Sequence, residues 1–319
     1  CPAEDATGAD ARSAPAVRLL EDRLRDHAPD LVISDADGAH LARLARRVDG
    51  LPLAIELLAG YATSRTLAEL EPLVDAPLDV ASPELGHRPR HRSLRDTLRW
   101  SVQRLSPSER TVLRRLGVFA GSFDVPAARA VAGGSLPPAT VEAALRTLVR
   151  EALVHLDRRG PSTRLRLLRT VRDLALEELA QAGEIEQVSR RHREWYAARW
   201  RGQPLRDELV IEVGDSYDDY VEALRRALAA RDGRSVADLA IALGRRWSFI
   251  EASGVGVRWL DRVLAADLLD PLDTARVQVL RMGLVQHVSW TDSTLLIGQT
   301  REALLNDPEW LAQSLLLEA

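Results

Sequence analysis

The 319-residue chain has no lysine; all 43 of its Lys+Arg residues are arginine. That absence excludes a phosphate loop built on a Walker A lysine, a Schiff-base lysine and a lysine general base. Cysteine occurs once, at Cys1, which rules out an internal disulfide and any cysteine-rich metal site. No run of 18 or more apolar residues is present, so no segment is expected to span a bilayer. A charged-then-apolar leader is also missing, and a reducing cytoplasm fits. The chain opens Cys-Pro-Ala and closes Leu-Leu-Leu-Glu-Ala inside a helical pattern, so both ends are expected to continue in a longer protein. With 46% hydrophobic residues, 28% charged residues and a net charge of −4, the balance is globular, with room for two or three domains.

Residues 1–14 are small, polar and proline-bearing, and read as a linker. Over 15–75 apolar positions recur at helical spacing: Val17, Leu20 and Leu24; then Leu41, Leu44 and Ala45, with Gly50 as a stop; then Leu57 and Leu58 behind Pro52; then Leu67, Leu70 and Leu73. This predicts a four-helix unit, followed by an aperiodic connector over 76–92. Ser93 with Asp96, and Ser106 with Glu109, are capping-box starts. Val118–Phe123 is short and compatible with a strand. Asp124 caps a brief helix, and Pro137-Pro138 opens a longer one over 138–150. At Leu153–Leu156 and Arg164–Leu167 the period changes to two around Arg158-Arg159-Gly160-Pro161, a hairpin signal. A helix stopped near Gly183 follows. Helices, hairpin and helix over 93–183 read as a winged helix. The remainder, 184–319, reads as a truncated helical-repeat, tetratricopeptide-like array without a strict repeat. The fold class expected is mainly α.

Candidate chemistry is sparse. His87 and His91 stand four residues apart among arginines, which opposes a divalent cation, so no metal site is expected. His192, Glu194 and Tyr196 read as a solvated, partly packed helix face. No catalytic grouping can be nominated. Residues 86–115 carry nine arginines against two acids, a net of +7, which could hold a phosphate backbone. However, the helix in the recognition position shows Glu142, Arg146 and Arg150 at i, i+4 and i+8, an arrangement that favours mutual pairing. Its first turn holds Pro138, Ala139 and Thr140, none of which is a base-reading arginine, asparagine or glutamine. Nucleic-acid contact is therefore disfavoured; if it occurs, Arg146, Arg150, Arg158 and Arg159 would carry it. The winged helix is expected to pack on the four-helix unit through Leu94, Leu98, Leu116 and Phe119.

Gly50-Leu51-Pro52-Leu53-Ala54-Ile55-Glu56-Leu57 is followed in order by Pro89–Arg95, Trp100-Ser101, Leu105–Glu109, Val118–Phe123 and Leu167–Ala175. This series resembles the second half of bacterial STAND-class signal-transduction ATPases with an NB-ARC module, in particular the large SARP-type and LuxR-type transcriptional regulators. The resemblance covers about residues 15–200, and the helical remainder loosely. It implies an upstream P-loop domain that binds ADP or ATP in the intact protein. It also implies a lid whose Gly50, Leu51, Pro52 and Leu53 contact the nucleotide, with Pro52 at the adenine side. A winged helix would then sense phosphate, and a repeat array would receive a protein or small-molecule signal. Relatives carry a Met-His-Asp-like run whose histidine meets the phosphate; Leu167, Leu168 and Arg169 stand there in this chain. Leucine donates nothing to phosphate, so Arg169 and Arg172 are the candidate replacements. The function expected is regulatory and non-enzymatic for this chain, with no membrane contact. Two other readings stay open: a winged-helix DNA-binding transcription factor, and a helical-repeat adaptor without a nucleotide link.

Overall fold

The protein is described by a computed structural model covering residues 12–28, 31, 33–34, 37–60, 62, 66–71, 94–157, 163–201, 207–250, 253–285 and 300–316. Among these residues the chain is mainly α, with 16 helices and one two-stranded antiparallel hairpin. No described helix is long and apolar enough to cross a membrane. The chain divides into two compact units, Cys1–Gly117 with Ser135–His155 and Leu167–Glu184, and Val118–Gly134 with Leu156–Arg166 and Ile185–Ala319.

The first unit begins with α1 (Pro15–His27), α2 (Gly38–Arg47), α3 (Pro52–Gly60) and the single turn α4 (Leu67–Leu70). α1 packs on α2 and α3, and α2 on α4. The stripes of Leu20 and Leu24, Leu41 and Leu44, and Leu57 and Leu58 all meet in one core. α5 (Leu94–Gln103) rests on α3, and its Leu98 packs against that core as expected. α6 (Pro107–Leu116) lies against α8 (Pro138–Arg150) and α9 (Arg169–Gln181). The start of α6 is the capping box expected from Ser106 and Glu109. Glu109 N donates to Ser106 Oγ at 3.3 Å, and Ser106 N donates back to Glu109 Oε2 at 2.8 Å. Glu184 fastens the far end of α6, accepting from Arg115 Nη2 at 2.9 Å and Arg114 Nε at 3.2 Å. Those hydrogen bonds hold its carboxyl down at about 2, against the opposing effect of burial. Ser93, the Leu94 side chain, the connector 76–92 and the residues Leu73, His87 and His91 lie outside the described residues.

The second unit holds α7 (Val125–Gly133), the strand β2 (Arg164–Arg166) and the chain from α10 (Ile185–Ala198) onward. β2 pairs with β1 (His155–Asp157). The expected strand over Val118–Phe123 is reduced to one antiparallel bridge, Phe123 to Leu165. Asp124 caps α7 as expected, accepting from Ala127 N at 2.7 Å. After α10 come α11 (Asp207–Asp215), α12 (Tyr217–Ala229), α13 (Gly233–Phe249), α14 (Ser253–Ala265), α15 (Pro271–Leu284) and α16 (Pro308–Leu316). α10 packs on α7, α12 and α13. Beyond it each helix packs on its neighbours, α12 on α13, α13 on α14 and α15, α14 on α15, and α15 on α16. This nearest-neighbour pattern buries Tyr220, Leu243, Trp247 and Leu260.

Candidate functional site

The turn between α2 and α3 carries the Gly-Leu-Pro-Leu run. α2 closes in a Schellman motif, with Asp49 N donating to Arg46 O at 3.0 Å and Gly50 N to Ala45 O at 2.8 Å. The left-handed residue after the cap is Asp49, at φ 57°, with Gly50 following at φ 63°. An aspartate tolerates that conformation less well than glycine does, at a cost of about 1 kcal/mol. Gly50, expected as the stop, closes the motif together with Asp49. Pro52 then starts α3 with its ring exposed, while Ile55, Leu57 and Leu58 are buried. Leu51 is half-buried.

The strained aspartate has a partner 121 residues away. Asp49 Oδ2 accepts from Thr170 N at 2.9 Å and from Thr170 Oγ1 at 3.0 Å. Thr170 is fully buried in the first turn of α9, whose own flanking residue, Leu168, has no side chain able to cap. Asp49 therefore supplies the cap from outside the helix, placing a carboxylate at the positive end of α9. Two segments singled out separately in the sequence, Gly50–Leu53 and Leu167–Ala175, are thus joined inside the first unit. Neither Asp49 nor Thr170 was nominated from the sequence. The available signal was an aspartate directly before the glycine of the turn.

Arg169 and Arg172 sit on the first turn of α9. Arg169 is exposed and lies 4.0 Å from Asp173; Arg172 is half-buried. Burial raises the Asp173 carboxyl, Arg169 and Arg172 lower it, and Asp49 adds to the rise. Pro52 offers an exposed apolar edge and Arg169 an exposed cation, whereas the Thr170 N–H is already taken by Asp49. Replacing Asp49 by alanine should lower the stability of the first unit by about 2 kcal/mol, because two buried donors lose a charged acceptor. Asp49→Gly should recover part of that loss by relieving the left-handed backbone, and Asp49→Asn most of it. Chemical denaturation of the three variants checks the order.

The DNA-binding alternative rests on other residues. Arg146 and Arg150 are exposed on α8, and Arg150 Nε lies 3.7 Å from Glu151. Pro138 and Ala139 are exposed at the first turn of α8, where a base reader would need longer polar side chains. Arg158 and Arg159 lie outside the described residues.

A second junction corrects two expectations. Phe119 does not pack on the four-helix core. It stacks on Phe123 at 4.2 Å between ring centroids and meets His192 edge-on at 5.3 Å, all within the second unit. His192 and Tyr196 are buried, so only Glu194 of the expected solvated face is exposed. Asp219 of α12, itself fully buried, organises this region. Its carboxylate accepts from Ala120 N at 2.7 Å, Gly121 N at 3.2 Å and His192 Nε2 at 3.0 Å. With Nε2 assigned as donor, His192 Nδ1 is buried without a hydrogen-bond partner among the described residues, and burial lowers the imidazole pKa. Gly121 fits closely at this junction, since a β-carbon there would come within 3.1 Å of the Asp218 β-carbon and press on its side chain. The Val118–Phe123 run is therefore a loop whose backbone amides are held by a helix of the downstream array. No cluster of three or more metal-ligating residues occurs among the described residues.

The fold and these junctions are accompanied by a limited set of relatives. No protein-family profile matches the chain. It is 40% identical over 185 residues to a Mycobacterium tuberculosis protein provisionally named an HTH-type transcriptional regulator, and equally to a Mycobacterium bovis counterpart. The match takes in 57% of this chain but 21% of the relative, so it spans about a fifth of that protein's length. An uncharacterized M. tuberculosis protein is 33% identical over 181 residues, 56% of this chain and 46% of the relative. The chain is thus similar to a portion of larger proteins carrying that regulator name.

Proposed function

We propose that this chain is the nucleotide-responsive switch and partner-binding portion of a STAND-class ATPase that regulates transcription. In this reading α1 to α4 are an NB-ARC lid, the segment from α5 to α9 with its hairpin is a winged helix, and the helices from α10 onward are a tetratricopeptide-like array. The observation that carries the reading is the Asp49–Thr170 clip, because it joins the Gly-Leu-Pro-Leu turn to the helix that follows the Leu167-Leu168-Arg169 run. A lid and a phosphate-sensing helix must move as one if a nucleotide is to bias both. The likeness to part of a protein provisionally named as a regulator supports the same class.

ADP or ATP would be held in the intact protein between this chain and its upstream P-loop domain. Pro52 would form an apolar edge against the base, and Arg169, with Arg172 behind it, would face phosphate in place of the relatives' histidine. A protein or small-molecule signal would act on the helical array. Nucleic acid and membrane are not expected partners of this portion, and a cytoplasmic setting is expected. The chain alone should turn over no ATP, having no Walker A lysine.

Calorimetry on the intact parent protein, stripped of nucleotide, tests the reading. Pro52→Gly should weaken ADP binding about tenfold, and Leu168→Ala should change stability more than affinity. Unchanged affinity in Pro52→Gly with a large loss in Leu168→Ala would reverse the two roles. A steep salt dependence of specific duplex binding that vanishes in Arg146→Ala would favour the DNA-binding reading instead.

A further inference from the structure

Within the second unit, α12, the turn after it and the end of α14 border an open surface pocket of about 350 Å3, on which Arg225, Arg231 and Arg262 are exposed. Its charged lining is Arg225, Arg231 and Arg262, and none of its lining residues is acidic. Leu228, Ala266 and Leu268 supply an apolar floor. The volume falls in the range of small-molecule sites, about 300–1,000 Å3.

The three guanidiniums are not equivalent. Arg225 makes two hydrogen bonds to Glu222, each 2.7 Å. Burial alone would raise the Glu222 carboxyl, but Arg225 and Arg226 hold it down at about 2, so it stays ionised and offsets Arg225. Arg262 lies over the Trp259 ring at 5.6 Å, and among the described residues neither Arg262 nor Arg231 forms an ion pair. Among the described residues, two cations therefore line the pocket without an ion-pair partner.

Arg231 occupies its place at a conformational cost. α12 ends in a Schellman motif, with Arg231 N donating to Leu228 O at 3.2 Å and Asp232 N to Ala227 O at 3.0 Å. The left-handed position, normally glycine, is Arg231 at φ 54°. The opposite wall is fixed by close approach: a β-carbon at Gly233 would run into the Leu268 carbonyl oxygen.

We infer that this pocket binds a small phosphate monoester with an apolar body. Two uncompensated guanidiniums match one dianionic phosphoryl group, which arginine's planar donors clamp well, and the floor covers the organic part. The site lies wholly within the second unit, so its occupancy can be measured whatever becomes of the nucleotide reading.

Phenyl phosphate titrated into the full chain by calorimetry should bind saturably at one site, and at least tenfold more tightly than inorganic phosphate or benzoate. Arg231→Gln and Arg262→Gln should each weaken it about tenfold, with melting temperatures close to that of the parent chain. Arg190→Gln, altering an exposed arginine paired with Glu194, should leave it unchanged. No saturable binding, equal binding of benzoate, or full affinity in both pocket variants would overturn the assignment. If either glutamine variant unfolds, Leu228→Glu provides the repulsive test: it should abolish phenyl phosphate binding, and retained binding would overturn the assignment too.

Discussion

Asp219→Ala should destabilise the second unit by about 4 kcal/mol. Three buried donors, the Ala120 and Gly121 amides and the His192 ring, share one carboxylate. Stranding a buried donor costs about 1–3 kcal/mol, and three are stranded together. Asp219→Asn keeps an acceptor and should lose about half as much. A pH series gives a second check. Burial lowers the His192 pKa, so the unfolded chain takes up a proton that the folded one refuses. This contribution is fully present above about pH 6.5, the ordinary histidine value, and is lost as pH falls below it. His192→Gln should flatten the dependence below about pH 6.5. The carboxyls held at about 2, Glu184 and Glu222, act only below their ordinary value of 4.5.

Phe119→Ala should cost about 3–5 kcal/mol, the usual loss for a buried phenylalanine. Its ring is 1% exposed and is enclosed by Phe123 and His192. The effect should appear in the unfolding of the second unit, since Phe123 and His192 belong there. Phe119→Leu, which keeps most of the volume, should cost less than half as much. Because Phe119 and Asp219 brace the same loop and the same imidazole, the double variant should lose less than the sum of the two. Arg146→Ala, on an exposed face of α8, should change stability by under about 0.5 kcal/mol. Denaturant titrations followed by tryptophan emission distinguish these cases.

Helices were legible where amphipathic spacing met a stop or a cap. The leucine stripes of α1 and α2, the Ser106 box, the Asp124 cap and Pro138 at the start of α8 all carry local signals that survive without tertiary context. Phe119 shows the limit. A phenylalanine in a short apolar run reports that it is buried but not against what, and its ring partner His192 lies 73 residues further along the chain. Asp219 was hidden for a related reason. An acid in the first turn of a helix already has a local explanation in the helix dipole, and nothing in the sequence distinguishes it from one that turns inward to hold a distant loop. Asp49 was hidden by its glycine neighbour. A turn of Asp-Gly normally assigns the left-handed position to glycine, and the reason for placing aspartate there is Thr170, far away in the chain. The Gly-Leu-Pro-Leu run and the Leu167–Ala175 run were each visible, but their connection was not, because it passes through residues beside both motifs.

Hydrogen exchange on the intact parent protein, compared between ADP and a non-hydrolysable ATP analogue, tests the central claim most directly. If Asp49 couples the lid turn to α9, the amides of 45–53 and of 169–173 should change protection together between the two nucleotides, and Asp49→Ala should uncouple them. Protection that is the same in both nucleotide states, or that changes in one segment while the other stays fixed in the unaltered protein, would contradict a nucleotide switch built on this junction.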